Sequence, residues 1–119
     1  MAKYKLCFVT TDNPEIAHKI AKTLVEERLA ACVNIIPNLT SFYRWDDMVK
    51  KTQEVMLIIK TKNVLVKDII AAVKKIHNYS TPEIVFADIT DGDPAYFDWI
   101  GANTLFTSNI TKDREENKQ

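Results

Sequence analysis

The sequence has little glycine, little cysteine, no surplus of either charge and no long apolar run, and each shortage narrows what the chain can be. Two glycines in 119 residues stand beside 46% apolar residues, a chain long enough to bury roughly two-thirds of its unfolded surface around one core. One domain is expected over residues 1–106, followed by a polar, frayed tail at 107–119. Sixteen Lys and Arg balance sixteen Asp and Glu, so no global field draws the molecule to nucleic acid or to an anionic membrane, and neither is expected as a partner. The opening residues Met1-Ala2-Lys3-Tyr4-Lys5 run into only four apolar residues, too few for a signal peptide or a membrane span. A cytosolic protein is expected. In that setting the sequon Asn109-Ile110-Thr111 is a chance match. Cys7 and Cys32 form no CxxC pair and no disulfide framework, so free thiols are the simpler reading. No nucleophile elbow, P-loop, HExxH or GxGxxG is present, which speaks against an enzyme even though Glu83 and His77 could act as base and orienter.

What is present alternates between two periods. Residues 4–11, centred on Leu6-Cys7-Phe8-Val9, read as a buried strand. Asp12 or Asn13 can cap the helix that Pro14 and Glu15 open. Ile16, Ala17, Ile20, Ala21, Leu24 and Val25 give it an apolar stripe to about Leu29, which leaves His18 exposed. Cys32 to Trp45 and Val49 to Thr61 are rich in β-branched and aromatic residues on either side of the polar turn Trp45-Asp46-Asp47-Met48, and make a long hairpin. Asn63 can cap a second helix in which Val66, Ile69, Ile70, Val73, Ile76 and His77 share a face. Glu83 to Ile89 reads as a fourth strand, and Pro94 opens a short third helix carrying Tyr96, Phe97, Trp99 and Ile100.

The order is that of an α+β, ferredoxin-like βαββαβ fold with an extended second hairpin and a short C-terminal helix, two helices covering one face of an antiparallel sheet. Each hairpin arm of about thirteen residues reaches ~40 Å, beyond the ~17–20 Å of an ordinary strand. It must overhang its own domain. An overhanging ribbon bearing Leu39, Phe42, Tyr43 and Trp45 calls for a partner, so self-association follows. Pro37 removes a ladder donor and predicts a bulge.

Leu29-Ala30-Ala31-Cys32-Val33-Asn34-Ile35-Ile36-Pro37, then Thr40-Ser41 and Tyr43-Arg44-Trp45, resemble the central signature of the CutA divalent-cation-tolerance family. Glu54-Val55, Lys60-Thr61, His77, Tyr79, Pro82-Glu83-Ile84, Gly92, Tyr96 and Trp99 continue the resemblance in order, from residue 6 to about 104. It departs at Asp47, where the family usually has Gly, and at Asn78, where it commonly has Pro. The resemblance implies a tight homotrimer with inter-subunit sheet pairing, architecturally like the PII signalling proteins, and a response to copper or other divalent cations. None of these ions is needed for folding. It places copper ligation at Cys32 and His77, a donor pair suited to copper or zinc; the alternative is a small buried thiol and a hydrogen-bonded imidazole. It brings Tyr43, Trp45, Lys60, Tyr79, Glu83 and Trp99 toward an inter-subunit cleft, where they bind a small anion or metabolite or else serve as ordinary interface. Cys7 defaults to core packing. Two functions therefore stand: a metal-binding trimer, and a PII-like signalling or scaffold trimer that takes a metabolite or a protein partner.

Overall fold

The computed structural model describes residues 3–110. Its elements are β1 (Tyr4–Thr11), α1 (Pro14–Glu26), β2 (Cys32–Trp45), β3 (Met48–Lys62), α2 (Val66–Ile76), β4 (Ile84–Asp88) and α3 (Pro94–Ala102), with a 3-10 turn at Asn63–Leu65 before α2. The strands form one sheet in the order β2-β3-β1-β4, every neighbouring pair antiparallel. The expected ferredoxin-like arrangement is present.

Alternation along the strands decides which face is covered. Cys7 and Val9 of β1 lie opposite Ile59 and Leu57 of β3, and all four are fully buried under α1 and α2 with Ala17, Ile20, Leu24, Ile69 and Val73. The intervening residues Leu6 and Phe8 lie opposite Lys60 and Ile58, with Ala87 and Val85 on the other side, and so point to the helix-free face. One end of that face is covered by α3. There α3 lies over β1, with the Phe97 and Tyr4 rings stacked at 4.9 Å and Gly101 so close that an added Cβ would sit 3.3 Å from the Tyr4 hydroxyl.

Helix ends differ from the periodic pattern for local reasons. Asn13 caps α1 by accepting from the N–H groups of Glu15 and Ile16 at 3.0 and 3.2 Å. The helix stops at Glu26 rather than Leu29, because Arg28 takes a left-handed φ of 61°. That turn sends the Leu29 and Ala30 N–H groups to the Leu24 carbonyl and buries both side chains. The cap expected at Asn63 is not the start of α2: Asn63 begins the 3-10 turn, and Leu65 precedes the helix without a side-chain cap. At the other end His77 is extended, outside the helix whose face it was expected to complete.

The hairpin overhangs as expected. β1 reaches Val55 of β3, and from Leu39↔Glu54 to Trp45↔Met48 the two arms pair only with each other. Register shifts between Ile36 and Leu39, where Pro37 predicts a bulge, with Asn38 left-handed at φ 62°. Asp46 and Asp47 both have positive φ, 51° and 59°, the conformation of a two-residue hairpin turn that follows the twist of its strands.

The chain remains fastened beyond residue 106. Buried Lys62 donates to the carbonyls of Thr104 and Leu105 at 3.4 and 3.2 Å, and buried Asp68 accepts from the Ser108 hydroxyl and the Asn109 N–H. The tail expected from 107 is therefore held as far as Asn109, and residues 111–119 of it lie outside the described residues. Among the described residues no helix is long and apolar enough to cross a membrane.

Candidate functional site: a cleft beneath the hairpin

The loop after α2 is held against β1 by a chain of hydrogen bonds. The Tyr79 N–H donates to His77 Nδ1 at 3.0 Å, so the ring proton resides on Nε2, which donates to the Thr10 carbonyl at 2.8 Å. Asn78, where the resemblance has proline, accepts from the Thr11 hydroxyl at 2.6 Å and donates to Asp12 at 2.7 Å. The loop is thereby pinned without the ring. Tyr79 reaches onward, and its hydroxyl donates to Glu54 Oε2 at 2.8 Å. Burial, then this bond to a carboxylate, push the phenol far above its ordinary value, so Tyr79 stays a donor.

Between this loop and the overhanging arms lies a cleft of about 590 Å³. Thr10 and Glu54 line its sheet side, Tyr79 to Thr81 and Glu83 the loop side, and Ser41 to Tyr43, Trp45 and Lys50 the hairpin side. The Tyr43 hydroxyl is bonded to Thr52 at 2.9 Å, which steadies that wall. Glu54 is buried at 8% exposure, while Glu83 is exposed.

The residues expected in one site fall into two groups within a single copy. Tyr43, Trp45, Tyr79 and Glu83 line the cleft. Lys60 and Trp99 do not: Lys60 Nζ donates to Cys32 Sγ at 3.7 Å, and Trp99 stacks on Tyr96 at 5.6 Å. Burial, then the charge of Cys32, raise the Tyr96 phenol. Cys32 pairs with Lys60, which pairs with Leu6, whereas His77 bonds to Thr10, four residues further along β1. That is ~13 Å along the sheet, with β3 between. Cys32 and His77 are therefore not brought together in one copy, and both His77 nitrogens are already bonded within the protein. Cys7 faces the helices, and burial, then the charge of Glu83, push its thiol up to about 12. Among the described residues no three His, Cys, Asp or Glu side chains form a metal-sized group.

Glu54 is a buried cleft residue that sequence reading did not place in the site. It stands in the Glu54-Val55 pair quoted for the resemblance, and alternation from the core residue Val55 puts it on the helix-free face. Its burial, however, comes from a loop 25 residues away. Asn78 was legible only as a departure from the resemblance, since its partners Thr11 and Asp12 are distant in sequence.

Comparison with known proteins accords with this geometry. Residues 5–103 match the family described as CutA1 divalent ion tolerance protein. The divalent-cation tolerance protein CutA of Thermus thermophilus is 46% identical over 100 residues, covering 84% of this chain and 97% of that protein. The mouse protein CutA is 39% identical over 102 residues, of which the match spans 86% of this chain and 58% of the mouse protein. Among solved structures, the Thermus thermophilus protein superposes with a TM-score of 0.84 at 45% identity, covering 86% of this chain and 99% of that one. CutA1 from Oryza sativa gives 0.86 at 34% identity, covering 89% and 97%. A family match over almost the whole described chain, with the same fold in both solved relatives, means that this chain belongs to the CutA1 divalent-ion-tolerance family.

Proposed function

We propose that the chain works in the cytosol as a homotrimer without catalytic activity, binding copper or another divalent cation with donors drawn from more than one copy. The overhanging hairpin carries this reading. Phe42, Trp45, Met48 and Val49 are 68%, 46%, 62% and 66% exposed on a ribbon whose outer strand edges are unpaired, a surface that a second copy covers by adding to the sheet. Closed cyclic symmetry satisfies every such surface at once, and three is the number that the resemblance implies. One copy supplies no cluster of three metal donors among the described residues, while half-buried Cys32 offers a sulfur beside the helix-free face. A neighbouring copy is the natural source of further ligands. The relatives' names associate them with divalent cation tolerance.

Sedimentation equilibrium tests the assembly: a trimer mass is expected, and a monomer at micromolar concentration would refute it. Calorimetric titration with copper tests the ligands. Cys32→Ser should lower stoichiometry or affinity, whereas His77→Ala should leave uptake intact and cost stability. Unchanged uptake by Cys32→Ser would remove that residue from the site.

The cleft favours a second reading, a PII-like signalling or scaffold trimer that takes a small ligand beneath its hairpin. Aromatic walls with a few convergent polar groups are the ordinary make-up of such sites. A thermal-shift panel of small anions and metabolites tests it, because a ligand of the native state raises stability.

A further inference from the structure

We infer that the loop after α2 is a strut: through the hydrogen bond from Tyr79 to Glu54 it sets the angle at which the hairpin projects, and so prepares the hairpin to seat on a neighbouring copy. The inference rests on the homotrimer reading. The hairpin is weakest at its root. On the β2 side the pairing shifts between Ile36 and Leu39, around Pro37 and the left-handed Asn38, and a bulge bends and twists the strand that carries it. On the β3 side the support of β1 ends at Thr11↔Val55, so Glu54, paired with Leu39, is where β3 goes on with β2 alone. The two breaks lie at one level. Beyond them the arms are tied together by Gln53 to Thr40 at 3.2 Å and Tyr43 to Thr52 at 2.9 Å, with Lys51 Nζ 5.8 Å from the centre of the Phe42 ring. Such cross-strand pairs hold the ribbon as a unit, and its freedom to swing gathers at the root.

The strut crosses that root. The Tyr79 hydroxyl donates to Glu54 Oε2 at 2.8 Å. The other end is fixed where β1 stops, by His77 to the Thr10 carbonyl and by Asn78 to Thr11 and Asp12. Tyr79 is tied to this anchor, because its N–H is held by His77 Nδ1 at 3.0 Å and its ring lies 4.8 Å from the imidazole. One hydrogen bond to a carboxylate, among the stronger kinds, therefore joins the end of β1 to the first residue of the hairpin that β1 no longer supports. The arm from Leu39 to Trp45 runs ~20 Å at ~3.3 Å per residue, so a swing of about 10° at the root moves its tip by ~3–4 Å. An arm held in one direction before assembly loses less freedom on docking than one that swings.

Sedimentation over a concentration series, together with a spin-label distance within one copy, tests the strut on the full-length protein. Tyr79→Phe keeps the ring and removes the hydroxyl, and should raise the concentration at which the trimer half-dissociates at least about tenfold. Glu54→Gln keeps an acceptor for Tyr79 and should stay within about threefold of wild type. Tyr79→Phe with Glu54→Met should dissociate no more readily than Glu54→Met alone, the mark of two groups acting as one. The distance is read between labels attached after Lys51→Cys and Lys74→Cys, both exposed positions. Cys32→Ser removes the competing thiol, and Phe42→Ser with Val49→Ser lowers association, so that single copies are measured. Tyr79→Phe should broaden this distance and Glu54→Gln should not. If Tyr79→Phe fails to fold, Glu54→Met replaces it in both measurements with the same expected result. A trimer that loosens while the distance stays narrow would mean that the hydroxyl meets the neighbouring copy directly, and the inference would be wrong. A distance that broadens while dissociation is unchanged would overturn it as well. No change in either, with a trimeric wild type, would overturn the strut and leave the homotrimer standing. A monomeric wild type would end both.

Discussion

His77 is a residue whose type suggests one role and whose surroundings give it another. An imidazole with both nitrogens bonded, to Thr10 and to Tyr79, is a structural strut. Its replacement by alanine exposes or strands both partners and should cost about 2 kcal/mol, read as a lower denaturation midpoint. Its competing reading as a hydrogen-bonded residue was legible from the sequence, but the partners were not, since Thr10 lies 67 positions away. Cys7 has a consequence at high pH. The unfolded thiol ionises near its ordinary value of 9.0 and the folded one only near 12. Between these values the folded chain holds more protons, so the contribution of Cys7 is full below the lower value and is lost as pH rises toward the upper. Cys7→Ala should therefore lose less stability than wild type as pH rises from about 9 toward 12, measured by denaturant unfolding against pH. Native Cys7 should also resist thiol reagents until the protein unfolds, because the reactive thiolate is suppressed.

At the scale of the element, the scarcity of glycine leaves its mark on the turns. Arg28, Asn38, Asp46 and Asp47 all hold positive φ, a conformation that glycine adopts freely and that costs other residues about 1 kcal/mol or more. Asp47→Gly should stabilise the hairpin by about 1 kcal/mol, visible as a raised unfolding midpoint. No gain would mean that the strands, not the turn, set the hairpin's geometry. Asn13→Ala should cost about 1 kcal/mol by freeing the N–H groups of Glu15 and Ile16. The Asn13 cap and the Pro37 bulge were legible because local chemistry decides them. The start of α2 was not: Leu65 is fully buried in the core, and the 3-10 turn that carries it from β3 into α2 moves the helix cap from Asn63, which the local sequence offers, to Leu65, two residues on.

At the scale of the whole molecule, the fold is closed by contacts that cross it. Lys62 and Asp68 fasten residues 104–109 to the end of β3 and to α2. Burial, then the nearby Lys3, lower the ammonium of Lys62, a price of placing it under the chain it holds. Asp68→Ala leaves the Asn109 N–H without its acceptor and should speed hydrogen exchange at 104–109 while leaving β1 and β3 protected. Uniform exchange across the sheet would show that this clasp supports the global fold. The helix-free face supplies the other whole-molecule feature. Val85 is 49% exposed there, and Leu6, Phe8 and Ile58 are only half-buried, a surface continuous with the hairpin that self-association covers. Phe42→Ser with Val49→Ser should shift sedimentation toward smaller species. An unchanged mass would place the interface elsewhere.

Sequence alone determined the strand and helix order, the overlong hairpin, the bulge and the family, because each is written in periods of two and 3.6, in turn chemistry or in local signatures. It also determined which face of each element is apolar. Tertiary structure decided which polar side chains meet. Tyr79 and Glu54 are joined by a loop folding back on the sheet, and Cys32 and His77 are separated by the sheet's register. Such meetings depend on how distant segments pack, which no local pattern encodes.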